Sequence, residues 1–118
     1  MDARRVLRVS EAIKEELSEI IGFEMEDPRV AEVDVTDVLV SPDSKHATVR
    51  VGLRGDDRQN RKSLEALDHA AGFLRHELAV RLQLRHAPEL HFEQDKNPDV
   101  DYRIDVLLKR ARKSRARE

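Results

Sequence analysis

The chain has 118 residues, 39% hydrophobic and 39% charged, with a formal net charge of -2 and no cysteine. That length suits one domain with one ordinary core, and the lack of thiols excludes disulfides, cysteine nucleophiles and cysteine-ligated zinc. With three Phe, one Tyr and no Trp, the core is expected to be aliphatic and few rings are left to stack on bases.

Val6, Val9, Ile13, Leu17, Ile20 and Ile21 share one helical face, which predicts a long amphipathic helix from about Arg4 to Met25. Asp27-Pro28 stops it, because the residue before a proline avoids the helical region. Glu32 to Val40 reads as a strand. Val33 and Val35 have one parity and Val38 and Val40 the other, so the strand either carries a bulge or is buried on both faces. Ser41-Pro42-Asp43-Ser44 is a turn. Beyond it Ala47, Val49, Val51 and Leu53 alternate with His46, Thr48, Arg50 and Gly52, a half-buried strand that should pair with the first as an antiparallel hairpin.

After Gly55-Asp56-Asp57, a helical pattern runs through Leu64, Leu67, Ala71, Leu74, Leu78 and Leu82. Gly72 interrupts it. A glycine there marks either a close helix–strand contact or a kink that divides the segment into two helices. Glu89 to Glu93 alternates as a third strand, Lys96-Asn97-Pro98-Asp99 is a loop, and Ile104, Leu107, Leu108 and Ala111 suggest a short helix before a basic tail. The order is helix, strand, strand, helix–kink–helix, strand: an α+β fold with helices layered on a three-stranded sheet.

Charge is unevenly placed. Glu15 to Ser44 holds ten acidic residues against Arg29 alone, whereas Lys109 to Glu118 holds six basic residues against one acid. The near-zero total is therefore a cancellation, and such asymmetry bears on the choice of partner more than the sum does. No apolar run is long enough to span a membrane, so a soluble, cytoplasmic protein is expected.

No catalytic signature is present. His46, His69, His76, His86 and His91 do not have the spacing of a zinc helix, and no phosphate-loop, nucleophile-elbow or dinucleotide-binding string occurs. No enzyme, cofactor or metal site is therefore expected. The basic residues are more suggestive. Arg58, Arg61 and Lys62 lie in the first turns of the broken helix, and Arg75, Arg81 and Arg85 lie beyond Gly72. A kink exposes a second helix N-terminus, whose amides attract phosphate, and Gly72 has no side chain to hold a nucleic-acid backbone away. The tail residues Lys109, Arg110, Arg112 and Lys113 read either as a phosphate-binding arm or as a solubilising terminus.

Ala70-Ala71-Gly72-Phe73-Leu74-Arg75, followed by Leu78, Leu82, Leu84-Arg85, Pro88-Glu89-Leu90, Phe92 and Asp95, resembles the signature of the ribosome-binding factor A family. Arg5-Val6, Asp27-Pro28-Arg29, Val35-Thr36-Asp37-Val38 and Val40-Ser41-Pro42-Asp43 agree with it in order, so the resemblance covers about residues 4–108 and leaves 109–118 as a basic C-terminal tail. It implies a KH-type domain of αββααβ order, with a kinked helix pair at Ala70-Ala71-Gly72 in place of the GxxG loop that clamps nucleic acid in ordinary KH domains. It further implies a non-catalytic assembly factor that binds the free 30S subunit and 16S ribosomal RNA, assists late small-subunit maturation and 16S processing, and matters most in the cold. RNA contact is expected at Arg58, Arg61, Lys62, Ala70, Gly72, Arg75, Arg81 and Arg85. The acidic stretch is left to face a basic ribosomal protein or a release factor. The competing expectation is a KH-like protein-interaction module that acts on ribosomal proteins without touching RNA. A monomer is expected, since no coiled coil or isolated apolar stripe is evident.

Overall fold

The computed structural model describes residues 3–95. The loop at Lys96–Asp99, the helix around Ile104–Ala111 and the tail residues Lys109, Arg110, Arg112 and Lys113 lie outside the described residues. Helix α1, Ala3–Glu19, buries Ile13 and Leu17 and continues into a π-helical turn, Ile20–Glu24, closed by the Met25 amide on the Ile20 carbonyl at 2.9 Å. The regular helix thus ends earlier than its apolar periodicity suggests, while the wider turn keeps Ile20 and Ile21 buried. Asp27 then caps a short 3₁₀ turn, Pro28–Val30, by accepting the Arg29 amide.

Strands β1, Asp34–Val40, and β2, His46–Gly52, form the expected antiparallel hairpin. The parity switch in β1 is a bulge. Val35 faces Val51 and Asp37 faces Arg50, leaving Thr36 as the extra residue, and the Thr36 hydroxyl donates to the Arg50 carbonyl at 3.2 Å. The bulge turns Val38 and Val40 toward the helices, where both are buried. In the hairpin turn, Ser44 adopts φ 64, and Asp43 steadies it by accepting from the Ser41 hydroxyl and the Lys45 amide. On the edge strand β1, the Val40 amide donates to the buried Ser10 hydroxyl of α1 at 3.0 Å. This satisfies a backbone donor that has no strand neighbour on that side.

Helix α2, Asp57–His69, begins in a capping box. The Asp56 carboxylate accepts the Gln59 amide, and the Gln59 side chain accepts the Asp56 amide. Buried Asn60 makes two hydrogen bonds with the Gly55 backbone. A Cβ at Gly55 would lie 2.6 Å from Gln59 Oε1, so the cap requires glycine there. Helix α3, Ala71–Arg81, follows after Ala70 alone. The chain then returns through Gln83, at φ 52, to β3, Glu89–Asp95, which pairs in parallel with β2. The sheet order is β1-β2-β3, and the element order is αββααβ: an α+β, KH-like fold.

One core lies between the helices and the inner face of the sheet. Ala47, Val49 and Val51 of the central strand are fully buried, as are Ile13, Leu17, Ile20, Leu67, Leu74 and Leu78 of the helical layer. Leu74 and Leu78, one turn apart, are the buried residues of α3. Truncating Leu74 therefore removes much of what holds α3 down. Leu74→Ala is expected to lower unfolding free energy by about 3 kcal/mol, measured by urea denaturation.

Candidate nucleic-acid interface

The junction between α2 and α3 departs from an ordinary helix in a specific way. Ala70, at φ -85 and ψ -3, ends α2 and also precedes the first residue of α3. Its amide bonds to the Ala66 and Asp68 carbonyls, and its carbonyl accepts the Leu74 amide at 2.9 Å. The break expected at Gly72 therefore falls two residues earlier, and Gly72 sits in the first turn of α3. Apart from its chain neighbours and the backbone of its own helix, no atom lies within 4 Å of where a Cβ on Gly72 would be, so this glycine does not serve a close helix–strand contact. It leaves bare backbone open to solvent.

The two helix N-termini differ in chemistry. That of α2 is closed by the Asp56 capping box and followed by Asp57, so the Asp56 and Gln59 amides are engaged and its field is met by carboxylates. That of α3 has no side-chain cap and no acid in its first turn. An anion is therefore better received at α3 than at α2, where the sequence places Arg58, Arg61 and Lys62. Phe73 lies next to Gly72 and is 52% exposed. It falls off the buried Leu74–Leu78 stripe, a displacement visible in the spacing alone.

The expected basic residues do not converge on one point. Arg58, Arg61 and Lys62 are exposed on α2, roughly 12 to 18 Å from Ala70 along the helix axis at the standard rise. Arg75 is exposed in the second turn of α3 and donates to the Ala87 carbonyl at 3.1 Å. That bond anchors the guanidinium between α3 and the segment entering β3. Arg85 is exposed on the same connecting segment. These residues form a dispersed basic surface on both sides of the break, not a clamp.

Arg81 behaves otherwise. Its side chain is 25% exposed, and its guanidinium meets three carboxylates: Glu24 of the π turn, Glu77 of α3 at 3.3 Å and Glu16 of α1 at 3.5 Å. The hydrogen bond with Glu24, followed by the one with Glu77, raises its pKa above the ordinary arginine value. The sequence counted Arg81 among the RNA-facing residues because it follows Gly72 on the same helix. The fold instead uses it to tie the end of α3 to α1.

Among the described residues, one group of side chains has the composition of a metal site: His46, Glu89 and His91, on β2 and β3. It is separate from the helix break. No helix among the described residues is long and apolar enough to cross a membrane.

The sequence profile of the family described as ribosome-binding factor A matches residues 5–108. The chain is 64% identical, over its full 118 residues, to the ribosome-binding factor A of Solibacter usitatus, covering 96% of that protein. Among solved structures it is similar to crystalline ribosome-binding factor A from Thermus thermophilus, with 29% identity and a TM-score of 0.68 over 75% of this chain and 94% of that one. It is also similar to a homology model of the T. thermophilus factor as fitted into an electron cryo-microscopy map of its complex with the 30S subunit. That match has 29% identity and a TM-score of 0.58, over 79% of this chain and 93% of that one.

The Arg81 cluster yields a pH-dependent expectation. The hydrogen bond from Arg81 is the main cause that holds the Glu24 carboxyl below its ordinary 4.5. A depressed carboxyl contributes stability above its ordinary pKa and loses it as pH falls through the folded-state value. Arg81→Gln is thus expected to lower the melting temperature at neutral pH by a modest amount, as for a largely surface cluster. The gap between variant and parent should close as the pH is taken below 4.5, which thermal melts across a pH series will measure.

Proposed function

The chain belongs to the ribosome-binding factor A family, and on that premise we propose that it is a non-catalytic assembly factor that binds the free 30S subunit and assists late maturation and processing of 16S ribosomal RNA. The T. thermophilus relative fitted into a 30S complex supports the choice of partner. The observation that carries the RNA reading is the uncapped N-terminus of α3, with Gly72 open to approach. Phosphate can dock on backbone amides there, while Arg75 on one side and Arg58, Arg61 and Lys62 on the other supply long-range attraction. Arg85 extends the same surface, and the tail residues Lys109, Arg110, Arg112 and Lys113 add a basic arm. Phe73 offers one ring against which an unpaired base can stack.

A binder favours one RNA conformer only by holding it more tightly than another. The factor therefore acts by preferring the immature subunit and leaving the mature one. Misfolded RNA helices escape more slowly at low temperature, so its contribution is greatest in the cold. The acidic surface of α1 and β1 faces away from phosphate and suits a basic ribosomal protein or a release factor.

Gly72→Ala separates fold from function. A methyl group there meets nothing in the protein, so stability should hold or rise by up to ~1 kcal/mol, while affinity for immature 30S subunits falls about tenfold or more, equivalent to ~1.4 kcal/mol. Equal affinity in sedimentation assays would remove the backbone contact.

Reversing Arg58, Arg61 and Arg75 to Glu in one variant should weaken subunit binding by roughly 100-fold. The slope of log affinity against log salt should also flatten, by about 0.7 to 0.9 for each phosphate that the variant no longer touches. A folded variant with unchanged binding would favour protein-to-protein contact instead.

A further inference from the structure

Strands β2 and β3 are locked in parallel register, with His46 opposite Glu89 and Thr48 opposite His91. The Glu89 amide also donates to the Lys45 carbonyl at 2.8 Å, fixing the point where β3 begins. On the inner face Ala47, Val49 and Val51 are buried in the core. The alternation of a strand therefore sends His46, Glu89 and His91 to the opposite, solvent-exposed face. There His46 Nδ1 lies 3.0 Å from His91 Nε2 and 3.8 Å from Glu89 Oε2, and one ligand atom from each residue lies within 4.8 Å of the others.

We propose that His46, Glu89 and His91 form a binding site for a divalent transition-metal ion, zinc(II) above all, that staples the start of β2 to the start of β3. Two imidazoles and one carboxylate are a familiar zinc donor set, with water completing the tetrahedron. At zinc–nitrogen distances of about 2.0–2.1 Å, tetrahedral donors stand about 3.3 Å apart. The two ring nitrogens at 3.0 Å need only a small outward turn, and Glu89 a small inward one. The three side chains are exposed, so these adjustments disturb no packing.

The ring-to-ring contact adds chemical weight. In the metal-free protein, two imidazole nitrogens 3.0 Å apart must share one proton, with one ring donating and the other accepting. A metal replaces that proton and takes both lone pairs: His46 then carries its proton on Nε2 and His91 on Nδ1. Asp43 adds negative charge close enough for His46 to help hold its carboxyl below the ordinary value, after the larger effects of Ser41 and the Lys45 amide. Binding links residues 45 apart in sequence, across a loop that contains both α2 and α3. It therefore stabilises the crossover without touching the helix break.

The test uses the tag-free full chain and zinc(II) alone, with cobalt(II) as a spectroscopic probe. Calorimetry is expected to give one zinc per chain with a dissociation constant on the order of 10 µM, as suits three exposed ligands and an open fourth position. Cobalt should give the visible bands of a tetrahedral ion. At about tenfold excess over that constant, zinc should raise the melting temperature by roughly 5 °C. His46→Gln, His91→Gln and Glu89→Gln should each weaken binding at least about tenfold and abolish the melting shift, with circular dichroism confirming the fold. His86→Gln should change neither. Affinity should fall as the pH is lowered, because protons compete with the metal for its donor atoms. No binding at millimolar zinc, or equal binding by the His46→Gln/His91→Gln double variant, overturns the proposal. Neither result bears on the RNA surface.

Discussion

Two parallel strands cannot be joined by a tight turn, so placing β3 beside β2 obliges the chain to leave the sheet after Gly52 and return at Glu89. The excursion must bury apolar surface on the way, and α2 and α3 do so with Leu67, Leu74 and Leu78 against the inner face of the sheet. A straight helix through both segments would carry the chain away from β3. The break at Ala70 redirects it, and in doing so leaves an uncapped helix start on the outside of the molecule. The proposed RNA surface is thus a by-product of how the crossover closes.

Electrostatics divide the molecule along the same lines. Carboxylates of α1 and the π turn gather around Arg81, and Asp56 with Asp57 holds the start of α2. These groups are engaged in keeping the helices in place. The first turn of α3 has no such carboxylate, and the proposed RNA surface is built around it. A net charge near zero is compatible with binding a polyanion because the local distribution of charge, and not its sum, sets the field that a ligand meets.

The outer face of the sheet is a second, independent surface. There the parallel register sets Arg50 beside Glu93 and Asp95, with contacts of 3.6 and 3.8 Å, and sets His46 beside Glu89 and His91. Both groups exist because residues of the same parity on neighbouring parallel strands project side by side. The same pairing that fixes the α2–α3 crossover on one face of the sheet therefore assembles the histidine pair on the other.

What the sequence determined by itself was local. The periodicity of α1, the alternation in β2, the Ser41–Ser44 turn, the parity switch that became the Thr36 bulge and the interruption near Gly72 are all written in residues a few positions apart, where backbone geometry and side-chain burial repeat. The position of the break was less legible, because Ala70 carries no capping side chain to announce it. Only the tertiary structure decided that β3 runs parallel to β2, that Arg81 turns to Glu16 and Glu24 instead of outward, and that His46 and His91 meet. Each of these joins residues far apart in the chain, and no spacing rule encodes such a pairing, because it is the packing of the whole core that selects one register and one helix orientation over the others.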